Sequence, residues 1–531
     1  MSSAIVNRFA RFGIFTNKRI PPIEAAAEAL KNVQLASKIE ENAEKSKSEK
    51  AVEVKNEDEA KAIEQKANSK PSYLGYLSGV VSTLWSPGTK IGQEVVQHVP
   101  LLEKSKPKVI VKKVSRQEVV LKTKELIKLL LTAETSSSRL HRTEELSKHL
   151  MEYPASRFVL VQDNPETISF LLKQLDSSMD ETLKGETRVC LYLCGYVEPP
   201  KAKGVRILTI DGGGTRALMS LETLSELEKN LGGKLIDNFD LIAGVSTGAI
   251  IATLLGALHL SVSQAKEIYM ELSRQLFKQS KISGVSGLIM AHSYYNTKKW
   301  VEIIKNVIGE DVSLMDIVRG ENAVRLAIVS CIVNAPQLQP FVFRNYEHPG
   351  GRDSQFRGGT KHKLWEAVLL GTLLHQDGGV LANNPTAIAL HEARLLWPNE
   401  PIQCVCSIGN GRSVMEYELT STLANTGIQD KITKIIDSAT DTELIHMTMS
   451  DLLDPRIYFR LNPYMSFPYT LDEIDPAKLE QMNKDAKSYV RRNKLKIRGA
   501  ALQLSRPAPI HKAITRNLKR LRDRQGMYKP E

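Results

Sequence analysis

Ser246 is the residue of this chain best placed to act as a nucleophile. It stands in the run Gly244, Val245, Ser246, Thr247, Gly248. Such a Gly-x-Ser-x-Gly turn, set between a strand and a helix, aims a serine hydroxyl into a cleft. Upstream, Asp211 leads into a second glycine turn, Gly212, Gly213, Gly214, Thr215, Arg216. Acyl transfer needs N–H donors for the developing oxyanion, each worth about 3 kcal/mol, and the backbone of Gly212 to Gly214 is the candidate source. Serine is a poor nucleophile until a base takes its proton. Downstream, His375, Gln376, Asp377, Gly378 and Gly379 follow one another. The plainer readings are a buried turn serine for Ser246 and a surface arginine at a helix start for Arg216. Arg216 also has two chemical readings, orienting the glycine turn or meeting a phosphate.

These residues need elements that hold them. Val205–Asp211 and Phe239–Ala243 are short apolar runs, each followed by a glycine turn and then an apolar helical pattern. Strand, tight turn, helix, twice over, predicts an α/β fold with a mainly parallel sheet. The flanking Gly244 and Gly248 are the elbow glycines, since a side chain there would meet the following helix. Helices are expected at Ser263–Lys278, Thr297–Ile308 and Pro385–Trp397, and strands at Ala323–Asn334, Gln339–Arg344 and Ile402–Ile408. Leu241–Ala265 carries no charged residue, but Gly244, Gly248 and Gly256 interrupt it. It reads as the buried centre of an α/β domain, not as a membrane span.

In order along the chain, the blocks Asp211–Arg216, Gly244–Gly248 and Asp377–Gly379 resemble those of the patatin-like phospholipases. The flanks Phe341–Tyr346, Leu374–Gly379 and Ser438–Glu443 are similar too, and the resemblance covers roughly residues 204 to 495. It implies a three-layer αβα sandwich and a lipid acyl hydrolase acting on glycerophospholipids without calcium. It implies Ser246 as nucleophile, Asp377 as base with no catalytic histidine, and an oxyanion hole at Gly212, Gly213 and Gly214 with Arg216 beside it. An aspartate of ordinary pKa near ~3.9 is a weak base, so Asp377 is expected in a desolvated cleft. One departure from the family pattern stands out. About a dozen residues that usually precede the Asp-Gly-Gly block are missing, and Trp365–Val368 runs almost directly into Leu369–His375. On this reading Asp377 is either carried to Ser246 by an unwound helix end or held off it, leaving a catalytically impaired form that binds lipid.

Other classes stay open at this point. A conventional triad would use His375 or His391, but His375 precedes Asp377 and His391 follows it by only fourteen residues. The Asp211–Thr215 turn is also similar to the phosphate loop of sugar kinases with the actin-type fold. Gly212, Gly214 and Ala217 nearly meet a dinucleotide fingerprint. No cofactor is called for. No Cys/His spacing suggests a metal, and no calcium loop appears.

Composition bounds the rest. Of 531 residues, 42% are hydrophobic and 25% charged, ordinary for a globular chain. The five cysteines all sit in apolar runs, which predicts free, buried thiols. The net charge of +12 is concentrated at one end, where residues 484–531 hold fifteen Lys or Arg against three Asp or Glu. The basic tail predicts attraction to an anionic phospholipid surface. No nucleic-acid motif accompanies it.

The domain reading is as follows. Residues 1–70 form a basic and charged N-terminal region. Its acid-free start, with Arg8 and Arg11 between Ile5, Phe9 and Phe12, resembles a mitochondrial transit segment. The expected location is intracellular and membrane-associated, mitochondrial first, with endoplasmic reticulum or peroxisome as the other readings. Residues 71–200 form a helical accessory region, with amphipathic patterns at Val119–Leu131 and Glu166–Leu175. An apolar stripe at Tyr73–Trp85 is too short to span a bilayer. Pro199 and Pro200 mark the boundary. The catalytic domain runs over 204–412, and 413–531 reads as helical, ending in the basic tail.

Overall fold

The computed structural model of the chain describes residues 114–277, 297–332, 337–350, 352–369, 375–413 and 442–528. The chain divides into two units, and one of them, Asn32–Ser115, falls outside these residues apart from Val114 and Ser115. The expected transit segment, the rest of the 1–70 region and the Tyr73–Trp85 stripe likewise lie outside the described residues.

Helices α1 (Arg116–Leu131), α2 (Ser136–Glu152), α3 (Glu166–Ser177) and α4 (Glu181–Leu193) form the accessory layer. Caps explain where two of them start. Thr135 accepts from the Ser138 N–H at 3.2 Å, and Asp180 accepts from the Thr182 N–H at 2.8 Å. Leu126, Leu130, Leu146, Leu150, Ile168 and Leu172 close a core among them, which Met315 and Val318 of the following domain enter. Arg157 ties the layer down further by pairing with Glu347 and, at 2.9 Å, with Asp353.

The sheet organises the rest. Its strands are β1 (Val205–Ile210), β2 (Leu241–Val245), β3 (Arg325–Ile332), β4 (Gln339–Arg344), β5 (Arg357–Gly359), β6 (His375–Asp377), β7 (Ile402–Ile408) and, past a two-residue β8 (Arg412–Ser413), β9 (Tyr458–Leu461). The order is β5-β4-β3-β2-β1-β7-β9, with β6 pairing β3 off this path. β2, β1, β7 and β9 run parallel to their neighbours, as does β3 to β2, while β4 and β6 meet β3 antiparallel. Every residue of β1 and β2 is buried, as expected for central parallel strands covered on both faces.

One face packs on α10 (Thr386–Leu396) and α11 (Glu443–Leu452) through Ile388, Ala389, Ala393, Leu396 and Met449. The other side carries α5 (Ala217–Leu231), α6 (Thr247–Gly256) and α7 (Val262–Phe277), joined by α12 (Pro476–Arg492) and α13 (Lys494–Leu504). Between these, α8 (Thr297–Ile308) and α9 (Leu364–Leu369) pack together. This is the expected three-layer αβα sandwich.

The charge-free run Leu241–Ala265 is a strand, an elbow and a helix of ten buried residues, followed by the first turn of α7. No helix among the described residues is long and apolar enough to cross a membrane. The chain past Arg412 is mostly helical, as expected, but it also contains Tyr458–Leu461, which extends the sheet beside β7. Four residues after a Pro455 turn are too few for periodicity to declare a strand. The five cysteines are free and buried.

Candidate active site

The elbow begins where β2 ends. Ser246 has φ 55 and ψ −129, a strained conformation for a residue with a side chain. It is tolerated because the turn is wedged between neighbours on both sides. A Cβ on Gly248 would sit 2.3 Å from the Ile210 carbonyl oxygen and 2.5 Å from that of Asp211. Only a glycine lets α6 start this close to the end of β1.

The Ser246 hydroxyl donates to Asp377 Oδ2 at 2.5 Å. The other carboxylate oxygen, Oδ1, accepts the Gly379 N–H at 2.8 Å, so the Asp-Gly-Gly turn fixes its own carboxyl group. Ser246 is 8% exposed and Asp377 4% exposed, a pair held away from bulk water.

The shortened run before Asp377 does not hold it off the serine, contrary to one branch of the expectation. The cause is register. Val245 pairs with Val329 across β2 and β3, and the next residue of β3, Ser330, pairs with Asp377 of β6. Ser246 and the Asp377 carboxylate therefore meet across the end of β3, whatever connects Leu369 to His375. Residues 370–374 lie outside the described residues.

The glycine turn faces this pair. A Cβ added to Gly212 would stand 2.9 Å from Ser246 Cβ, so turn and elbow touch. The Gly212 N–H donates to the Asn383 carbonyl at 3.2 Å, and the Gly213 N–H donates to Thr247 Oγ1 at 3.2 Å. The first is committed to backbone; the second faces a hydroxyl that rotates. Gly214 takes φ 56 and lies against Leu471, whose carbonyl oxygen would be 1.9 Å from a Cβ. Its own carbonyl accepts the Tyr269 hydroxyl at 2.6 Å. Arg216 sends Nε toward the Gly213 carbonyl at 3.4 Å, the orienting role among its readings.

Sequence reasoning missed the residues that hold the turn from behind. Asn410 donates from Nδ2 to the Asp211 carbonyl at 2.5 Å and accepts the Ser220 hydroxyl at 2.5 Å. Arg460, on the unforeseen β9, donates to Asp211 Oδ2 at 2.6 Å and also reaches Ser407 and Thr442, each at 3.0 Å. Burial pushes the Asp211 carboxyl up to about 6, against the pull of Arg460. Among the described residues, Asp211 Oδ1 has no hydrogen-bond partner. The signal for Asn410 was the Gly409–Gly411 bracket at the end of a predicted strand; Arg460 left none.

Among the described residues, no imidazole takes the place of the carboxylate. His391 packs edge-on against Phe356 with ring centroids 5.1 Å apart. Among the described residues, no group of three or more His, Cys, Asp or Glu is arranged to hold a metal ion.

Comparison with known proteins places this site within a known family. Residues 208–390 match the patatin-like phospholipase family, and the chain carries a patatin-like phospholipase domain. Human calcium-independent phospholipase A2-gamma is 37% identical over 406 residues, 74% of this chain and 51% of that protein. Phospholipase A I of Arabidopsis thaliana is 31% identical over 343 residues, 52% of this chain and 26% of its own length. The cGAMP-activated phospholipase of Vibrio cholerae is 26% identical over 216 residues, 35% of this chain and 57% of its own length. The chain thus spans about half the length of the mammalian relatives it matches.

Proposed function

We propose that the chain is a calcium-independent lipid acyl hydrolase that cleaves fatty acyl esters of glycerophospholipids through a Ser246–Asp377 dyad. The carrying observation is the 2.5 Å hydrogen bond from a serine on a strained elbow to a buried carboxylate. At that distance proton transfer needs no further approach.

The reaction divides into two acyl transfers. Ser246 Oγ bonds to the ester carbonyl carbon as its proton passes to Asp377. The carbonyl oxygen becomes an oxyanion, which the Gly213 and Gly214 N–H groups receive. This requires Thr247 Oγ1 to turn away from Gly213. The carbon–oxygen bond to the glycerol then breaks, and the leaving alkoxide takes the proton from Asp377. Water repeats the cycle. It gives its proton to Asp377 as its oxygen bonds to the acyl carbon, and Ser246 leaves with that proton. The working surface is an anionic phospholipid membrane, and the N-terminal segment is read as a mitochondrial address.

The kinase reading gives Ser246 and Asp377 no role, so it leaves the dyad without a purpose. The test is release of fatty acid from a labelled diacyl phospholipid in the presence of a chelator, with a fluorophosphonate probe labelling Ser246. A folded chain that neither hydrolyses the lipid nor takes the probe refutes the proposal.

A further inference from the structure

The last helix, α14 (Ile510–Arg522), presents its two faces the opposite way round from a surface helix of a globular protein. Ile510, Ile514, Leu518 and Leu521 recur at helical spacing and form one stripe. They are 81%, 54%, 60% and 49% exposed, and none of the helix's residues is buried. Three of the basic residues, Lys512, Arg516 and Arg520, reach back to the body instead. Lys512 bonds Glu400 at 2.9 Å and the Lys203 carbonyl at 3.0 Å. Arg516 donates to the Lys201 carbonyl at 2.8 Å, and Arg520 pairs with Asp176 and Glu198 at 3.7 and 3.6 Å. Just beyond the helix, Arg524 anchors to Asp176 at 2.5 Å. The helix is therefore strapped down by its cations and holds its apolar stripe outward.

An exposed stripe of four large aliphatic side chains needs an occupant. We propose that α14 lies in the interface of an anionic bilayer, with Ile510, Ile514, Leu518 and Leu521 entering the headgroup–acyl boundary. Charge selects this occupant. The helix itself contains no acidic residue. In its neighbourhood Lys201, Lys203, Lys512, Arg516, Lys519, Arg520, Arg522 and Arg524 outnumber Asp176, Glu198, Glu400 and Asp523 by two to one. A second copy meeting this face would bring the same positive excess, whereas anionic lipid complements it. A helix with an apolar face and basic flanks is also the form that lies in an interface without crossing it. The inference deepens the proposed function by naming how the hydrolase meets its substrate surface, and it rests on that reading.

The test uses the full chain carrying Ser246→Ala, so that binding is read without hydrolysis. The probe is vesicles of equal parts phosphatidylcholine and phosphatidylserine. Ile514→Ser, Leu518→Ser and Leu521→Ser together should lower vesicle binding on the order of a hundredfold while thermal unfolding stays unchanged. A single Ile514→Trp should bind at least as well as its parent and shift its emission to the blue on adding vesicles. Unchanged binding by the triple variant overturns the proposal, as does an emission from the Ile514→Trp chain that vesicles do not move. Equal binding to vesicles of phosphatidylcholine alone overturns the anionic preference. If the parent is a dimer and the triple variant a monomer with the same vesicle binding, the stripe is an interface between copies and the proposal is wrong. Should phospholipid hydrolysis fail while the stripe still governs binding, it is the proposed activity that falls and not the docking surface.

Discussion

Replacing Arg460 by methionine tests how the glycine turn is held. Arg460 is 3% exposed and is the cation facing Asp211. Its removal takes away the hydrogen bonds to Asp211, Ser407 and Thr442. Breaking a buried pair from one side costs about 3–5 kcal/mol, because the remaining charge is left without compensation. Asp211 has a partial escape, since burial already pushes it up to about 6. Without Arg460 its value rises further, and the group folds in its protonated form at neutral pH. The loss should therefore lie at the lower end, about 3 kcal/mol, read as a fall in Tm of roughly 3–5 °C. A carboxyl raised in the folded state contributes stability that is full below its ordinary value of 3.8 and is lost as pH rises through the folded value. The deficit of Arg460→Met should thus be smaller near pH 5 than near pH 8, by about 1.4 kcal/mol for each unit of further rise. Adding Asp211→Asn should recover a large part of the stability, since both members of the pair are then neutral. Thermal unfolding of the parent, Arg460→Met, Asp211→Asn and the double variant across that pH range is the assay. A deficit independent of pH, or a double variant worse than Arg460→Met alone, would show that Arg460 does not act through Asp211. Hydrolysis should fall about 10- to 100-fold in the single variant, because Asp211 leads directly into the turn beside the nucleophile.

Three other outcomes are expected. Ser246→Ala and Asp377→Asn should each reduce ester hydrolysis by about a thousandfold or more with the unfolding temperature retained, and a folded Ser246→Ala chain that still cleaves phospholipid sinks the dyad. Gly248→Ala should destabilise by more than about 2 kcal/mol, since the new methyl would meet two backbone oxygens that cannot move aside; normal expression and melting of that variant would contradict the wedge. Glu392 is buried among Arg344, Tyr346, His348 and Ser354; burial alone would raise its carboxyl, but the hydrogen bonds and charges of His348 and Arg344 together outweigh this and hold it well below the ordinary glutamate value of 4.5. Its contribution is full above 4.5 and is lost as pH falls, so Glu392→Gln should lower Tm at neutral pH and flatten the acid limb of the stability profile, and a parallel shift at every pH would refute it.

The sequence was most informative where geometry needs glycine. Gly244 and Gly248 marked the elbow because no other residue permits that approach of helix to strand. The short continuous apolar runs of β1, β2 and β7 were legible because both faces of a central strand are buried. Asp377 was assigned by family resemblance, and its position looked doubtful because chain length before it was counted while strand pairing could not be. Arg460 and Asn410 were silent for a related reason. Each acts on Asp211 from about two hundred residues away in sequence or more, and a polar side chain buried by tertiary contact leaves no periodic trace. The basic tail was read correctly as charge. Which way each cation points follows from Asp176, Glu198 and Glu400, which belong to other parts of the chain.

The pairing of β6 with β3 also separates two kinds of inherited change. Insertions or deletions between Leu369 and His375 alter the chain that leads into β6 but not the partner across which Asp377 meets Ser330. Such changes leave the distance from Ser246 to Asp377 where it is. A slip of one residue in β6 is a different event. It would set Gln376 opposite Ser330 and turn every side chain of the strand to the other face, removing the carboxylate from the serine at a stroke. Lineages of this fold should therefore vary in the length of that connection far more readily than in the three residues it delivers.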